Sequence, residues 1–172
     1  IKYLKKKLHS LGLDFVFSRE PGGTPVAEVV RKILKDPLYA EMAPLCELGI
    51  FSALRADHID KVIAPALNSG RHVFLDRYYA STWVYQVRVM GKGKIEDLFN
   101  GVNKLFVGDY IPDMWILLDI TTEEMQRRFN KRKLEDEKKA LAEGKSVVKD
   151  KNDEKGIEFH LNVKKEYYNF FD

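Results

Sequence analysis

Three short apolar runs, set among longer stretches with helical spacing, form the framework of this chain. The runs cover residues 13–18, 73–75 and 114–120. The first two follow glycines, Gly12 and Gly70, that break the preceding element. A short apolar run bounded by such breaks is typical of a strand buried on both faces of a parallel sheet. We therefore expect three parallel strands.

Apolar residues at helical spacing occupy the stretches around these strands. A first predicted helix carries Leu4, Leu8 and Leu11 at helical spacing and closes at Gly12. Further helices are predicted at residues 25–34, 44–63, 95–106, a stretch from 122, and 156–171. Thr24 before Pro25 predicts an N-cap, and Thr121 with Glu124 has capping-box spacing. The buried stripe of the helix at 25–34 is expected to comprise Val26, Val30, Ile33 and Leu34. Together the elements predict an α/β fold, a three-layer parallel sheet with helices on both faces.

Composition narrows the function classes. The 172 residues suit one domain, and the balance of 45% hydrophobic and 32% charged residues is that of an ordinary soluble protein. A net charge of +3 is too small for a nucleic-acid footprint. No apolar run approaches the ~20 residues of a membrane helix, so no membrane partner is expected. The single cysteine, Cys46, is expected in the core, and a cytoplasmic location is the default.

The candidate chemistry lies where the strands end. Two of the runs lead directly into ionisable pairs, Arg19-Glu20 and Asp76-Arg77, and the third carries Asp119 directly after Leu118. In open α/β sheets ligands bind beyond the carboxyl ends of the strands. At that place a carboxylate can bind a metal ion, and a guanidinium group can bind a phosphate. A surface ion pair explains Asp76-Arg77 equally well, because exposed pairs contribute little and need no function.

Two helical features leave similar alternatives open. Phe51 and Arg55 are four residues apart and share one helix flank. They could stack on a nucleobase and donate to its carbonyl, or simply form an intrahelical cation–π pair. Arg31 lies off the predicted apolar stripe and, on its own, favours a solvated side chain.

A highly charged segment follows the third run. Its first part carries Arg127, Arg128, Lys131, Arg132 and Lys133, and acidic and basic residues then alternate to Glu154. Such a run is usually a solvated helix and loop. Its functional interpretation is a lid over phosphates, expected to be mobile and to cover about residues 133–153.

With these motifs in place, the sequence resembles the thymidylate kinase family. The resemblance rests on residues 17–24 (FSREPGGT), 51–55 (FSALR), 76–78 (DRY), 85–86 (YQ) and 118–119 (LD), in this order along nearly the whole chain. It implies a nucleoside monophosphate kinase of the P-loop type that phosphorylates dTMP with ATP and Mg²⁺. It also implies a homodimer.

The resemblance further implies residue roles. Phe51 would stack on thymine, Arg55 would donate to a thymine carbonyl, and Arg31 and Arg77 would hold the acceptor phosphate. Thr82 and Gln86 would contact the base, and Ser81 would belong to the same acceptor site. Tyr85 would lie against the deoxyribose, and Glu20 near the sugar and phosphates. Asp76 would lie near the magnesium. The residues that would bind ATP are Arg128, Arg132 and Lys151. By the same resemblance Asp76, Arg77, Arg128 and Arg132 are the candidate catalytic residues.

The sequence departs from the family pattern in three places. These 172 residues contain no G-x-x-x-x-G-K-[ST] loop. We expect that loop, with its strand, to precede Ile1, and the strand to lie between those at 73–75 and 114–120. After Gln86 the chain has Val87 where the family has glycine, and Asp150-Lys151 replaces the Asp-Arg of the lid. Lysine is a point charge where arginine is a fork, so a bidentate contact from Lys151 is not expected.

Two alternative functions remain. A deoxynucleoside kinase also uses an acidic-Arg strand end and a basic lid, and would phosphorylate thymidine instead of dTMP. A non-catalytic P-loop relative, acting as a nucleotide- or anion-binding module, would also account for the missing loop. The acceptor preference and the affinity for ATP distinguish these functions.

Overall fold

The computed structural model describes residues 2–142, 144, 151–152 and 155–172. Its strands are β1 (Phe15–Arg19) and β2 (His72–Asp76). Its α-helices are α1 (Lys2–Ser10), α2 (Pro25–Lys35), α3 (Pro44–His58), α4 (Ala64–Asn68), α5 (Tyr79–Thr82), α6 (Glu96–Val107), α7 (Thr122–Ala142) and α8 (Gly156–Phe171). A 3₁₀ turn covers Pro37–Tyr39, and π-helical segments cover Ile59–Ile63 and Trp83–Met90.

The two strands pair in parallel, as expected. The register sets Phe17 beside Phe74 and Arg19 beside Asp76. Beyond the last pair the Glu20 amide still donates to the Asp76 carbonyl at 3.0 Å. The two charged strand ends are therefore neighbours.

Helices cover both faces of this two-stranded sheet. Alternate residues of a strand point to opposite faces, so each strand contributes side chains to the packing on both sides. Phe17 stacks on Phe74 with ring centroids 4.9 Å apart, and Lys5 of α1 lies 5.0 Å from the Phe17 ring. On the opposite face, Val73 and Leu75 pack against a buried cluster of Ile59, Ile63, Tyr78 and Val107. The expected layering of helix, sheet and helix is confirmed.

The predicted strand at 114–120 is wrong for this structure. In the part of the chain that is described, the sheet has only β1 and β2, and residues 114–120 join no ladder. A strand needs a hydrogen-bonding neighbour, and β2 pairs only with β1 here. Trp115 packs on the cluster beside β2, whereas Met114, Ile116 and Leu118 are 76%, 66% and 87% exposed.

The helix signals were mostly accurate. The Thr24 hydroxyl accepts from the Ala27 amide at 3.3 Å, and the Thr121 hydroxyl accepts from the Glu124 amide at 3.2 Å. The helix predicted to close at residue 63 runs on through the π-helical segment Ile59–Ile63 into α4. The π turn shifts the backbone register shortly before Pro65, so the proline sits in the first turn of α4, where its missing N–H is tolerated.

The predicted core needs two corrections. On α2, Ala27 and Leu34 are buried, whereas Val26 and Ile33 are 47% and 41% exposed. The buried face of α2 is therefore rotated about the helix axis relative to the predicted stripe. Cys46 is exposed, because α3 turns its neighbour Leu48 inward. A helical stripe broad in apolar residues does not specify which part faces the core.

In the described residues no helix is both long and apolar enough to cross a bilayer. Of the segment expected to be a mobile lid, residues 133–142 belong to α7. Residues 143, 145–150 and 153–154 lie outside the described part of the chain.

Candidate active site

A cavity of about 770 Å³ opens at the carboxyl ends of β1 and β2, within the usual range for small-molecule sites. It gathers the candidate residues from both strand ends, α2, α3, α5, the π-helical segment after α5, and α7. Those lining it are Glu20, Arg31, Phe51, Arg55, Asp76, Arg77, Ser81, Thr82, Tyr85, Gln86, Arg128 and Arg132. The structure thus brings together every candidate except Lys151 and Asp119.

The charge of the lining is strongly positive. Seven basic side chains, namely Arg19, Arg31, Lys35, Arg55, Arg77, Arg128 and Arg132, share the cavity with the carboxylates Glu20 and Asp76. Arg55 pairs with Glu20, but the seven basic side chains of the lining still outnumber its two carboxylates. The cavity therefore suits a polyanion.

A buried polar network forms the floor of the cavity. Arg55 donates to Glu20 Oε2 from Nε at 2.9 Å and approaches it with Nη2 at 2.7 Å, and both side chains are at most 6% exposed. The same Nη2 donates to the Thr82 hydroxyl at 3.0 Å. Charge-assisted bonds of this kind fix the guanidinium in one orientation. Arg55 also lies 5.1 Å from the Tyr78 ring.

His58 completes this network from the inner side. Its Nδ1 lies 3.1 Å from Glu20 Oε1 and its Nε2 lies 2.6 Å from the Ser18 hydroxyl, while the ring is fully buried. A carboxylate only accepts, so Nδ1 donates to Glu20, while Nε2 and the Ser18 hydroxyl share the second hydrogen bond of the ring. The imidazole thereby joins β1 to α3.

The turn after β1 approaches this histidine closely. Gly23 has φ +82°, and a Cβ there would lie 2.5 Å from Ser18 Oγ and 2.6 Å from His58 Nε2. Glycine is required here both for the left-handed backbone and for the close approach. The turn also places the Pro21 carbonyl where Arg31 Nη1 donates to it at 2.5 Å. Arg31 is therefore drawn into the cavity and is not the solvated side chain that its position on α2 favoured.

Arg77 leaves β2 in the left-handed region, with φ +71°. Its Nη1 donates to the Tyr167 hydroxyl at 3.1 Å and lies 3.4 Å from Ser81 Oγ, and its guanidinium lies 5.6 Å from the Tyr85 ring. The hydroxyl oxygens of Ser81 and Tyr167 are themselves 2.6 Å apart and share a hydrogen bond. Burial raises the pKa of Tyr167. A strained non-glycine backbone at a strand end is a common feature of ligand sites.

The aromatic and amide candidates, Phe51 and Gln86, also line the cavity. Phe51 is half-buried and packs against the Ala27, Leu34 and Leu54 cluster. Gln86 is buried, and its Nε2 donates to Glu47 Oε2 at 2.8 Å. Packing on one side and a hydrogen bond on the other hold both side chains at the cavity wall.

The α7 arginines line the outer rim. Arg127 and Arg128 both donate to Glu124, each through Nε at 2.6 Å. These two bonds lower the pKa of Glu124 to about 2. Arg128 is well exposed, and Arg132 lies one helical turn further along the same face.

Lys151 is placed elsewhere. It is buried in an ion pair with Glu47, and it lines a separate surface pocket with Met90 and Lys155. Asp119, the third strand-end acid, also lies apart from the cavity lining. Hydrogen bonds from Lys164 and Tyr168 lower the pKa of Asp119.

Sequence reasoning missed three residues around the site: Glu47, His58 and Tyr167. The helical spacing of His58 three residues after Arg55 was a signal that could have flagged it. Glu47 and Tyr167 gave no local signal, because their partners lie 39 and 86 or more residues away in the chain.

Known proteins similar to this chain agree on one family. The family model described as thymidylate kinase matches residues 1–172. The thymidylate kinase of Pelotomaculum thermopropionicum is 40% identical over 128 residues, which are 74% of this chain and 58% of that protein. The thymidylate kinase of Chlorobaculum parvum is 36% identical over 166 residues, covering 96% of this chain and 72% of that one.

A solved structure gives the same result. The crystal structure of thymidylate kinase from Ehrlichia chaffeensis superposes with a TM-score of 0.64 at 27% identity, and the match covers 98% of this chain and 68% of that one. The chain thus spans 58% to 72% of the length of these three proteins.

Proposed function

The chain belongs to the thymidylate kinase family, and we propose that the protein transfers the γ-phosphoryl group of ATP to dTMP, giving dTDP and ADP. One observation carries the proposal. A single cavity unites an aromatic ring and an oriented amide with seven basic side chains. That combination suits a nucleobase at one end and several phosphates at the other.

At the base end, Phe51 offers a ring face whose back is packed on the core. Stacking on such a ring is favourable because little side-chain freedom remains to be lost. Arg55 and Thr82 are linked at 3.0 Å and would present donor and acceptor groups to the edge of the base, together with Gln86. Tyr85 would lie against the deoxyribose.

At the phosphate end, Arg31 and Arg77 would hold the acceptor phosphate. Arg77 is oriented by Ser81 and Tyr167, and Arg31 by the Pro21 carbonyl. Because phosphoryl transfer depends mainly on in-line placement and charge neutralisation, fixed guanidinium groups are the side chains it requires. Arg128 and Arg132 on the rim would contact the phosphates of ATP.

The residues present also fit a magnesium ion. Asp76 is an exposed carboxylate at the end of β2 and lines the cavity. Mg²⁺ is commonly held by one or two carboxylates together with substrate phosphates and water, so a single Asp is sufficient. When bound, the ion neutralises charge on the phosphates.

We further propose that a P-loop and its strand complete the donor site. The exposed apolar side chains of Met114, Ile116 and Leu118 support a further strand between β2 and residues 114–120. Such a strand would give both neighbours a hydrogen-bonding partner and would bury those side chains. The greater length of the related kinases leaves room for it.

A homodimer in the cytoplasm is part of the same proposal. Val26, Val29 and Ile33 form an apolar strip on α2 and are 47%, 61% and 41% exposed. Burial of this strip against a second copy would remove it from water. Sedimentation of the purified protein tests the oligomeric state, and a monomer at micromolar concentration contradicts it.

The function is tested by comparing dTMP and thymidine as phosphate acceptors of the full-length protein. ADP release is measured with ATP and either dTMP or thymidine, and the product is identified by mass. The proposal predicts dTDP from dTMP and little turnover of thymidine. Preferential phosphorylation of thymidine would favour a deoxynucleoside kinase. ATP binding without turnover of either acceptor would favour a non-catalytic module.

A further inference from the structure

Lys151 occupies a position unusual for a lysine at the end of a charged segment. It is 3% exposed, its Nζ donates to Glu47 Oε1, and its backbone amide donates to the Lys35 carbonyl at 3.0 Å. Lysine is almost never buried unless it is paired. These two contacts fix Lys151 against α3 and the end of α2.

Glu47, the partner of Lys151, is itself buried and forms a second hydrogen bond. It is 2% exposed, and its Oε2 accepts from Gln86 Nε2 at 2.8 Å while Oε1 accepts from Lys151. One carboxylate therefore connects Lys151 to Gln86. Gln86 in turn lines the active-site cavity, which Lys151 does not.

The ionised state of Glu47 determines how the Gln86 amide is turned. A carboxylate only accepts hydrogen bonds, so the amide must direct its NH₂ group to Glu47, which leaves Oε1 for another partner. A buried carboxyl group without a counter-charge is stable only in its neutral form. A neutral Glu47 could donate to Gln86 Oε1 and permit the opposite amide orientation.

We propose that Lys151 is a positioning residue of the acceptor site, which keeps Glu47 an ionised acceptor and so turns Gln86 Oε1 toward a donor N–H of the nucleobase. This inference rests on the proposed function, because it assumes that the cavity binds a pyrimidine monophosphate. Thymine carries such a donor at N3. Lys151 then acts on the recognition of dTMP and not on ATP, the ligand implied for it by the family resemblance.

The experiment is a KM comparison in the full-length protein. Wild type is first shown to phosphorylate dTMP, which separates a failure of this inference from a failure of the proposed function. Lys151→Met is then expected to raise KM for dTMP by about fivefold to tenfold, since one oriented hydrogen bond to the base is lost. KM for ATP should stay within about twofold of wild type.

Three further variants control the interpretation. Lys151→Arg restores a buried cation and should recover most of the dTMP affinity. Lys104→Met removes an exposed lysine on α6, away from the cavity, and should change neither KM. If Lys151→Met does not fold, the double variant Glu47→Gln/Lys151→Met removes both buried charges. The introduced amide can donate to Gln86 as well as accept from it, so it no longer fixes the orientation of Gln86, and KM for dTMP is again expected to rise about fivefold to tenfold.

The outcomes are decisive. A rise in KM for ATP, alone or equal to that for dTMP, overturns the inference, because it returns Lys151 to the donor side. Unchanged values for both substrates in Lys151→Met also overturn it. In the double variant, a dTMP KM within about twofold of wild type would overturn it as well, since the orientation of Gln86 is no longer fixed there.

Discussion

Replacing Arg55 by Met should destabilise the full-length protein by about 3–5 kcal/mol, because it leaves the Glu20 carboxylate buried without its counter-charge. Glu20 is 6% exposed, and its Oε2 lies 2.9 Å from Arg55 Nε and 2.7 Å from Arg55 Nη2. Met retains much of the alkyl volume of arginine, so the cost of a cavity is small. His58 still donates to Glu20 Oε1, but one hydrogen bond does not replace a charge-assisted pair.

A matched surface pair controls for the chemistry of the substitution. Arg19 contacts Glu28 at 3.0 Å with the side chains 52% and 44% exposed. Arg19→Met should therefore cost under about 1 kcal/mol. The double variant Glu20→Gln/Arg55→Met buries two neutral groups, and we expect it to be more stable than Arg55→Met alone.

The assay is urea unfolding followed by tryptophan fluorescence, with midpoints compared at constant slope. A loss of about 3–5 kcal/mol is large against the 5–15 kcal/mol by which domains are typically stable, so the midpoint of Arg55→Met should fall well below that of wild type. If Arg55→Met unfolds at the midpoint of Arg19→Met, the buried pair does not hold the floor of the cavity.

Three further predictions follow from single side chains. Phe51→Ala should weaken dTMP binding by about 1–3 kcal/mol in calorimetry while Phe51→Tyr has little effect; equal affinity for wild type and Phe51→Ala would exclude base stacking. Gly23→Ala should cost about 1–3 kcal/mol in urea unfolding, because its Cβ would meet His58 Nε2 at 2.6 Å; a wild-type midpoint would show that the turn adapts. Glu124 has a pKa lowered to about 2 from an ordinary 4.5, so its contribution is present above pH 4.5 and is lost as the pH falls toward 2. The thermal midpoint of Glu124→Gln should therefore depend less on pH across that window, and identical profiles for variant and wild type would contradict the pairing with Arg127 and Arg128.

Features that depend on neighbouring residues in the chain could be predicted from sequence. The caps at Thr24 and Thr121 and the positions of β1 and β2 follow from local residue types, and the structure confirms them. The meeting of the Arg19-Glu20 and Asp76-Arg77 pairs at one edge follows from parallel pairing of their strands, whereas Asp119 of the third run lies apart from the cavity lining.

Features that depend on distant partners were not predictable. The apolar run at 114–120 has the composition of a strand, but composition does not supply the hydrogen-bonded neighbour. Lys151 looked like a solvated cation in a charged run, yet it is buried because it pairs with Glu47, which lies 104 residues away in sequence. His58 could be placed on α3 from its spacing, but its position between Ser18 and Glu20 is a result of tertiary packing.

The most direct test of the central claim, that this cavity holds the acceptor phosphate of dTMP, is kcat/KM of Arg77→Ala in the full-length protein. Arg71→Ala, an arginine outside the cavity lining, is the matched control. We predict that Arg77→Ala lowers kcat/KM for dTMP by several orders of magnitude, that Arg77→Lys recovers little, and that Arg71→Ala behaves as wild type. A value for Arg77→Ala within about tenfold of wild type, equivalent to only ~1.4 kcal/mol, would contradict the assignment.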